Sequence, residues 1–156
     1  MAAETLSPQD LSLLARPLYG FFSTAAGASP PQPRPVWFEV TSNGHIQLFT
    51  GGSDTPKVHQ LRRDPRASLV VAAPVGERER WVSVAGPTTL ASDGAWELVE
   101  RLAARYWDLD DPIRAQDLAR CATRPGCGSS SNRRPSAATR CDAVGRCDAV
   151  GRGFVR

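Results

Sequence analysis

GGSDTPKVHQLRRDPRASLVVAA, residues 51–73, orders two glycines, a helix cap, the chain's one lysine, a basic run and an apolar run. Thr55 is placed to cap a helix whose first position is Pro56, where a missing N–H costs nothing. KVHQLRR continues that helix for about two turns. It ends at Asp64, because the residue before Pro65 resists helical geometry. RASLVVAA then reads as a buried strand. A helix start that gathers free backbone N–H groups, the hydroxyls of Ser53 and Thr55 and the ammonium of Lys57 suits a phosphate. The same residue types equally suit a capped surface helix with a solvated lysine. No Gly-Lys-Ser/Thr follows at the spacing of a nucleotide-hydrolysing phosphate loop.

Upstream, Ser7 and Pro8 open a short helix carrying Leu11, Leu13 and Leu14. LYGFFSTA, RPVWFEV and HIQLFTG, the last following the turn TSNG, read as three antiparallel strands in meander order. Downstream, ERERWVSVAGPTTLA is a longer strand in which Pro87 marks an edge or a bulge. SDGAWELVERLAARYWDL places Trp96, Val99, Leu102, Ala103 and Tyr106 on one face of a helix. DDPIRAQDLAR opens another, with an aspartate cap and Pro112 near its start. Five strands with isolated helices, lacking alternating βα units, indicate an α+β, mainly β fold: a small antiparallel barrel with peripheral helices.

The chain has 156 residues, 41% of them hydrophobic, which is enough for one cored domain. Its formal charge of +3 is unevenly distributed. Residues 1–119 hold 11 basic and 14 acidic side chains, net −3, whereas residues 120–156 hold 8 arginines and 2 aspartates, net +6. The mildly acidic body argues against a nucleic-acid face. No apolar run is long enough to span a membrane, and the acidic, polar start is unlike a signal peptide; the expectation is a cytoplasmic protein without membrane partners.

All four cysteines lie beyond residue 120, where apolar periodicity ends and RCDAVG occurs twice. Their spacings, with no histidine beside them, do not match a zinc site, so no metal is expected. The expected division is therefore a folded domain over 1–119 and a low-complexity, disordered tail over 120–156, dispensable for the fold. His45 at a turn and His59 on a short helix read as surface residues. No residue declares itself a catalytic acid or base.

RPVWFEV, PKVHQLRRDPRASLVV and RWVSVAGPTTL, in that order, resemble the split β-barrel family of flavin- and deazaflavin-binding proteins. That family includes pyridoxamine 5′-phosphate oxidase-like proteins and deazaflavin-dependent reductases. The likeness covers roughly residues 10–118. It implies that the coenzyme phosphate lies at Ser53, Thr55 and Lys57, that Pro35, Val36 and Trp37 run along the ring system, and that Phe49 and Thr50 flank the same pocket. It also implies a homodimer, deazaflavin (coenzyme F-420) or flavin mononucleotide (FMN) as cofactor, and hydride transfer to a small or planar organic substrate. Oxidases that hold FMN often carry two adjacent basic residues where this chain has Pro56-Lys57, and a glutamine where Trp81 stands. These departures favour a reductase using the deazaflavin, or a looser flavin binder. Members of the family usually end on one more apolar strand, which is not legible here. The composition change after Arg120 is read as a change of reading frame, and the rival expectation is a non-catalytic coenzyme binder or a remnant lacking its last strand.

Overall fold

The computed structural model describes residues 6–25, 30–52 and 54–123, and the backbone of 136–141. Helix α1 (Pro8–Leu14) starts as its sequence dictates. The Asp10 N–H donates to Ser7 Oγ at 3.2 Å, and the Ser7 N–H donates to Asp10 Oδ2 at 3.0 Å, a reciprocal capping box. Strand β1 (Gly20–Thr24) follows, then β2 (Arg34–Val36), β3 (Phe38–Val40) and β4 (Ile46–Gly52). Helix α2 (Pro56–Arg63), strands β5 (Arg66–Ala72) and β6 (Trp81–Ala91), helices α3 (Ala95–Tyr106) and α4 (Pro112–Thr123), and strand β7 (Ser136–Cys141) complete the order.

RPVWFEV, expected as one strand, is two. Val36 pairs with Gly20 of β1 and Phe38 pairs with Leu48 of β4, so the chain changes partners at Trp37. The sheet runs β2-β1-β5-β6-β7-β4-β3, with all pairs antiparallel. Its two outer strands are therefore consecutive in sequence, joined by Trp37 alone. The sheet curls until its edges meet there without a ladder between them, giving a split barrel with peripheral helices. The long β6 makes the other corner: Trp81–Pro87 pair with β5, and Thr88–Ala91 pair with β7. Pro87, which has no N–H for a ladder, sits at that change. Thr88 secures the bend, its N–H and its hydroxyl both donating to Pro65 O at 2.8 Å.

The core lies inside the curl. Leu13 and Leu14 of α1, Phe22 of β1, Phe38 of β3, Ile46 and Leu48 of β4, and Leu69 and Val71 of β5 are buried together, each contributing about 1.5–3 kcal/mol in water-removal terms. Gly20 is required by close approach: a Cβ there would stand 2.6 Å from Leu69 Cδ1 and 3.2 Å from Phe38 Cδ1. Helix α3 packs over β4 and β7. Its buried face is centred on Ala95, Leu98, Val99, Leu102 and Ala103, with Trp96 and Tyr106 half-buried at its margins, a rotation from the expected face. Among the described residues no helix is long and apolar enough to cross a membrane.

The expectation that no strand follows the last helix is corrected. Strand β7 lies between β4 and β6, its Thr139 opposite both Leu48 and Leu90. Both neighbours offer unsatisfied ladder edges, so backbone pairing recruits a short segment that shows no apolar periodicity. The expected boundary at residue 119 also falls inside α4, which the Asp111 carboxylate opens by accepting the Ile113 N–H at 2.9 Å.

Candidate functional site

The junction of β4 and α2 builds the first half of the site. Gly51 takes φ 86°, a conformation that favours glycine, and turns the chain out of β4. Thr55 caps α2, its Oγ1 accepting the Val58 N–H at 3.4 Å, with Pro56 in the first turn. Burial of Val58 and Leu61 seats the helix on the barrel. That seating leaves Lys57 half-buried, with Nζ 5.5 Å from the centroid of the Phe22 ring. Desolvation, and secondarily the charge of Arg34, hold its ammonium below the ordinary lysine pKa. Among the described residues no carboxylate pairs with Lys57. Lys57 and Arg34, two cations without a carboxylate partner among the described residues, lie beside a helix start and make a receptor for an anion. They border a polar cavity of about 480 Å³ that Thr55, Gln60 and Thr24 also line.

A second cavity, of about 390 Å³, adjoins the first and shares Thr50 and Lys57 with it. Its walls are aromatic and aliphatic: Tyr19, Trp37, Phe49 and Trp107, with Leu102 of α3 and Leu118 of α4. Trp37 is half-buried; it stacks on Tyr106 at 5.2 Å with planes 7° apart, and meets Trp107 edge-on at 4.8 Å. Arg114 of α4 lies 5.1 Å from the Trp107 ring, which ties α4 to the cavity wall. Tyr19, Lys57 and Cys121 also stand on this wall. Its chemistry is suited to receiving a planar apolar ring and excluding water.

Pro35, Val36, Trp37 and Phe49 line the apolar cavity, Thr50 and Lys57 line both cavities, and Thr55 lines the polar one. Ser53 lies outside the described residues. Trp81 is 40% exposed at the start of β6, opposite Ala72, and borders neither cavity. The basic run 61–66 points elsewhere. Arg66 is chelated by Asp64, with Nη2 to Oδ2 at 2.6 Å, and this pairing lowers the Asp64 carboxyl to about 2. Arg62 and Arg63 are exposed on the last turn of α2, beside its negative dipole end. His59 pairs with Asp54 at 3.0 Å on the surface.

Sequence reasoning missed Arg34, Gln60 and Thr24 on the polar side, and Tyr19, Trp107, Leu118 and Cys121 on the apolar side. Arg34 carried a signal, as the charged residue heading the strand that holds Pro35 and Val36. The contributions of α3 and α4 carried none, because they reach the cavity only through packing.

Solved structures share this fold. An F420 reductase is 20% identical over 87% of this chain and 94% of that one, with a TM-score of 0.63. A conserved hypothetical protein from Mycobacterium tuberculosis is 20% identical over 92% of this chain and 84% of that one, with a TM-score of 0.61. A putative pyridoxamine 5′-phosphate oxidase from Lactobacillus delbrueckii is 15% identical over 91% of this chain and 92% of that one, with a TM-score of 0.53. At these identities the likeness is one of fold. No curated protein matches the sequence. The family model described as pyridoxamine 5′-phosphate oxidase matches residues 6–124, from the start of α1 through α4, and the chain belongs to this family of split-barrel, flavin- and deazaflavin-binding proteins.

Proposed function

We propose that the protein is an oxidoreductase that holds a flavin or deazaflavin coenzyme across the two adjoining cavities and exchanges a hydride with a small or planar organic substrate. The observation that carries this reading is the pairing of an aromatic-walled cavity with an anion receptor through the residues they share, Thr50 and Lys57. A flavin-type coenzyme has the matching halves: a planar apolar ring system and a phosphate-bearing chain. When bound, it supplies the hydride chemistry. The chain's residues supply binding and orientation. Lys57, Arg34 and the capped start of α2 take the phosphate, Trp37 and Pro35 line the ring, and Leu102, Trp107 and Leu118 keep water from it. The single cation in the first turn of α2 supports a reductase using the deazaflavin over an oxidase using FMN.

A second copy of the chain belongs to the same reading. Phe21, 48% exposed, stands in one cross-strand row with Pro35 and Val70, on the sheet face opposite the core. Tyr19 is 59% exposed beside it, and Trp81 is exposed on β6. An apolar row of this kind supports pairing through this face.

Titration of the purified protein with FMN and with the deazaflavin, followed by assays of reduction across enones, quinones and nitroaromatics, tests the proposal. Saturable binding of at least one coenzyme with turnover is expected. Failure to bind either one overturns the reading, and binding without any turnover reduces the function to holding the coenzyme.

A further inference from the structure

The geometry points to Tyr106, which does not line either cavity, as the positioning residue that holds the aromatic wall of the ring cavity in place. The inference rests on the coenzyme reading above and deepens it.

The ladder between β1 and β2 ends at the pair Gly20–Val36, and the next ladder begins at Phe38–Leu48. Tyr19 and Trp37, one residue beyond the Gly20–Val36 pair on each strand, therefore lie at the split of the barrel with no ladder partner among the described residues, yet both are walls of the apolar cavity. A wall built at a gap in the hydrogen-bond ladder has no backbone restraint of its own. Tyr106 supplies one. Its hydroxyl donates to Leu18 O at 2.8 Å and accepts the Phe38 N–H at 3.4 Å. Leu18 directly precedes Tyr19, and Phe38 directly follows Trp37. One oxygen thus bridges the two chain segments where the ladder lapses. The Tyr106 ring repeats the connection at the side-chain level, stacked on Trp37 at 5.2 Å and tilted against Tyr19 at 6.2 Å.

The helix makes this placement firm. Leu98 and Leu102 anchor α3, and the Trp107 N–H closes it on Ala103 O at 2.8 Å, with Trp107 itself extended. Consecutive residues therefore serve the same wall differently: Trp107 forms part of it, and Tyr106 fixes the strands behind it. Burial raises the pKa of the Tyr106 hydroxyl above the ordinary value of 10.0, so it remains a donor across the neutral range.

Tyr106→Phe keeps the stacked ring and removes the bridge. Expected is a loss of roughly 3- to 10-fold in affinity for riboflavin and the same factor for FMN, the effect of one neutral hydrogen bond, with inorganic phosphate affinity unchanged. Lys57→Met provides the contrast, weakening FMN but sparing riboflavin. Unchanged riboflavin affinity in Tyr106→Phe, or a loss confined to FMN, overturns the inference. A ligand-free measurement separates its failure from failure of the coenzyme reading. In a Trp81→Phe, Trp96→Phe background, emission comes from Trp37 and Trp107. Tyr106→Phe should then raise acrylamide quenching and shift emission to the red while the far-ultraviolet circular dichroism stays the same. Identical quenching and emission with and without the hydroxyl overturn the positioning role even if no coenzyme binds. Tyr106→Leu, which also removes the stack, should move both readouts further in the same direction.

Discussion

Replacing Lys57 by methionine separates the cost of this residue to the fold from its use to the site. Methionine keeps an unbranched apolar stem over Phe22 and deletes the charge. In the free protein the ammonium is half-buried, faces Arg34 and has no carboxylate partner among the described residues. Its folded-state pKa is lowered, so the folded chain holds this proton less tightly than the unfolded chain does. The resulting stability penalty is present at neutral pH and fades as pH rises toward the unfolded lysine value of about 10.4. Against this stands the cation–π contact with Phe22, about 0.5–1 kcal/mol. The two oppose each other, and the melting temperature of the free variant should be equal to or above that of the parent at pH 7, with any gain shrinking toward pH 10. Binding should move the other way. A charge-assisted contact to phosphate contributes roughly 1.5–3 kcal/mol, so FMN affinity should fall roughly tenfold to a hundredfold. Fluorescence titration with FMN and with riboflavin, which lacks the phosphate, reads this directly. Equal losses for both ligands, or no loss for FMN, would refute the assignment of Lys57 to the phosphate.

Three further outcomes are expected. Gly20→Ala drives a methyl group to 2.6 Å from Leu69 Cδ1 in the sealed core; it should cost about 1–3 kcal/mol and lower the melting temperature by several degrees, and an unchanged melting curve would contradict the packing. Ending the chain after residue 123 removes β7 from between β4 and β6 and should lower the melting temperature, whereas ending it after 141 should not; equal stability of the shorter chain would show that the barrel closes without β7. Light scattering should give twice the chain mass, and Phe21→Lys should shift the population toward monomer. A monomeric parent that binds coenzyme tightly would contradict pairing through the face that carries Phe21.

Local rules made part of the candidate site's backbone legible in the sequence. The cap at Thr55, the proline after it and the stop at Asp64-Pro65 define α2 within a single short segment, because capping and φ restriction act over neighbouring residues. The glycine turn ahead of α2 and the alternation of β4 place Thr50 and Lys57 at the same end of the barrel for the same reason. The N-terminal capping box at Ser7 and Asp10 is equally local.

What only the tertiary structure decided is non-local. The break of RPVWFEV at Trp37 depends on which strands its two halves find, and residues 34–40 are β-prone throughout. The place of β7 depends on two waiting ladder edges, a backbone demand that side-chain periodicity does not encode. The walls added by Trp107, Leu118 and Cys121 depend on where α3 and α4 pack. The bridge from Tyr106 to Leu18 and Phe38 joins residues more than sixty positions apart, brought within hydrogen-bond reach only because the curled sheet leaves a gap in its ladder there.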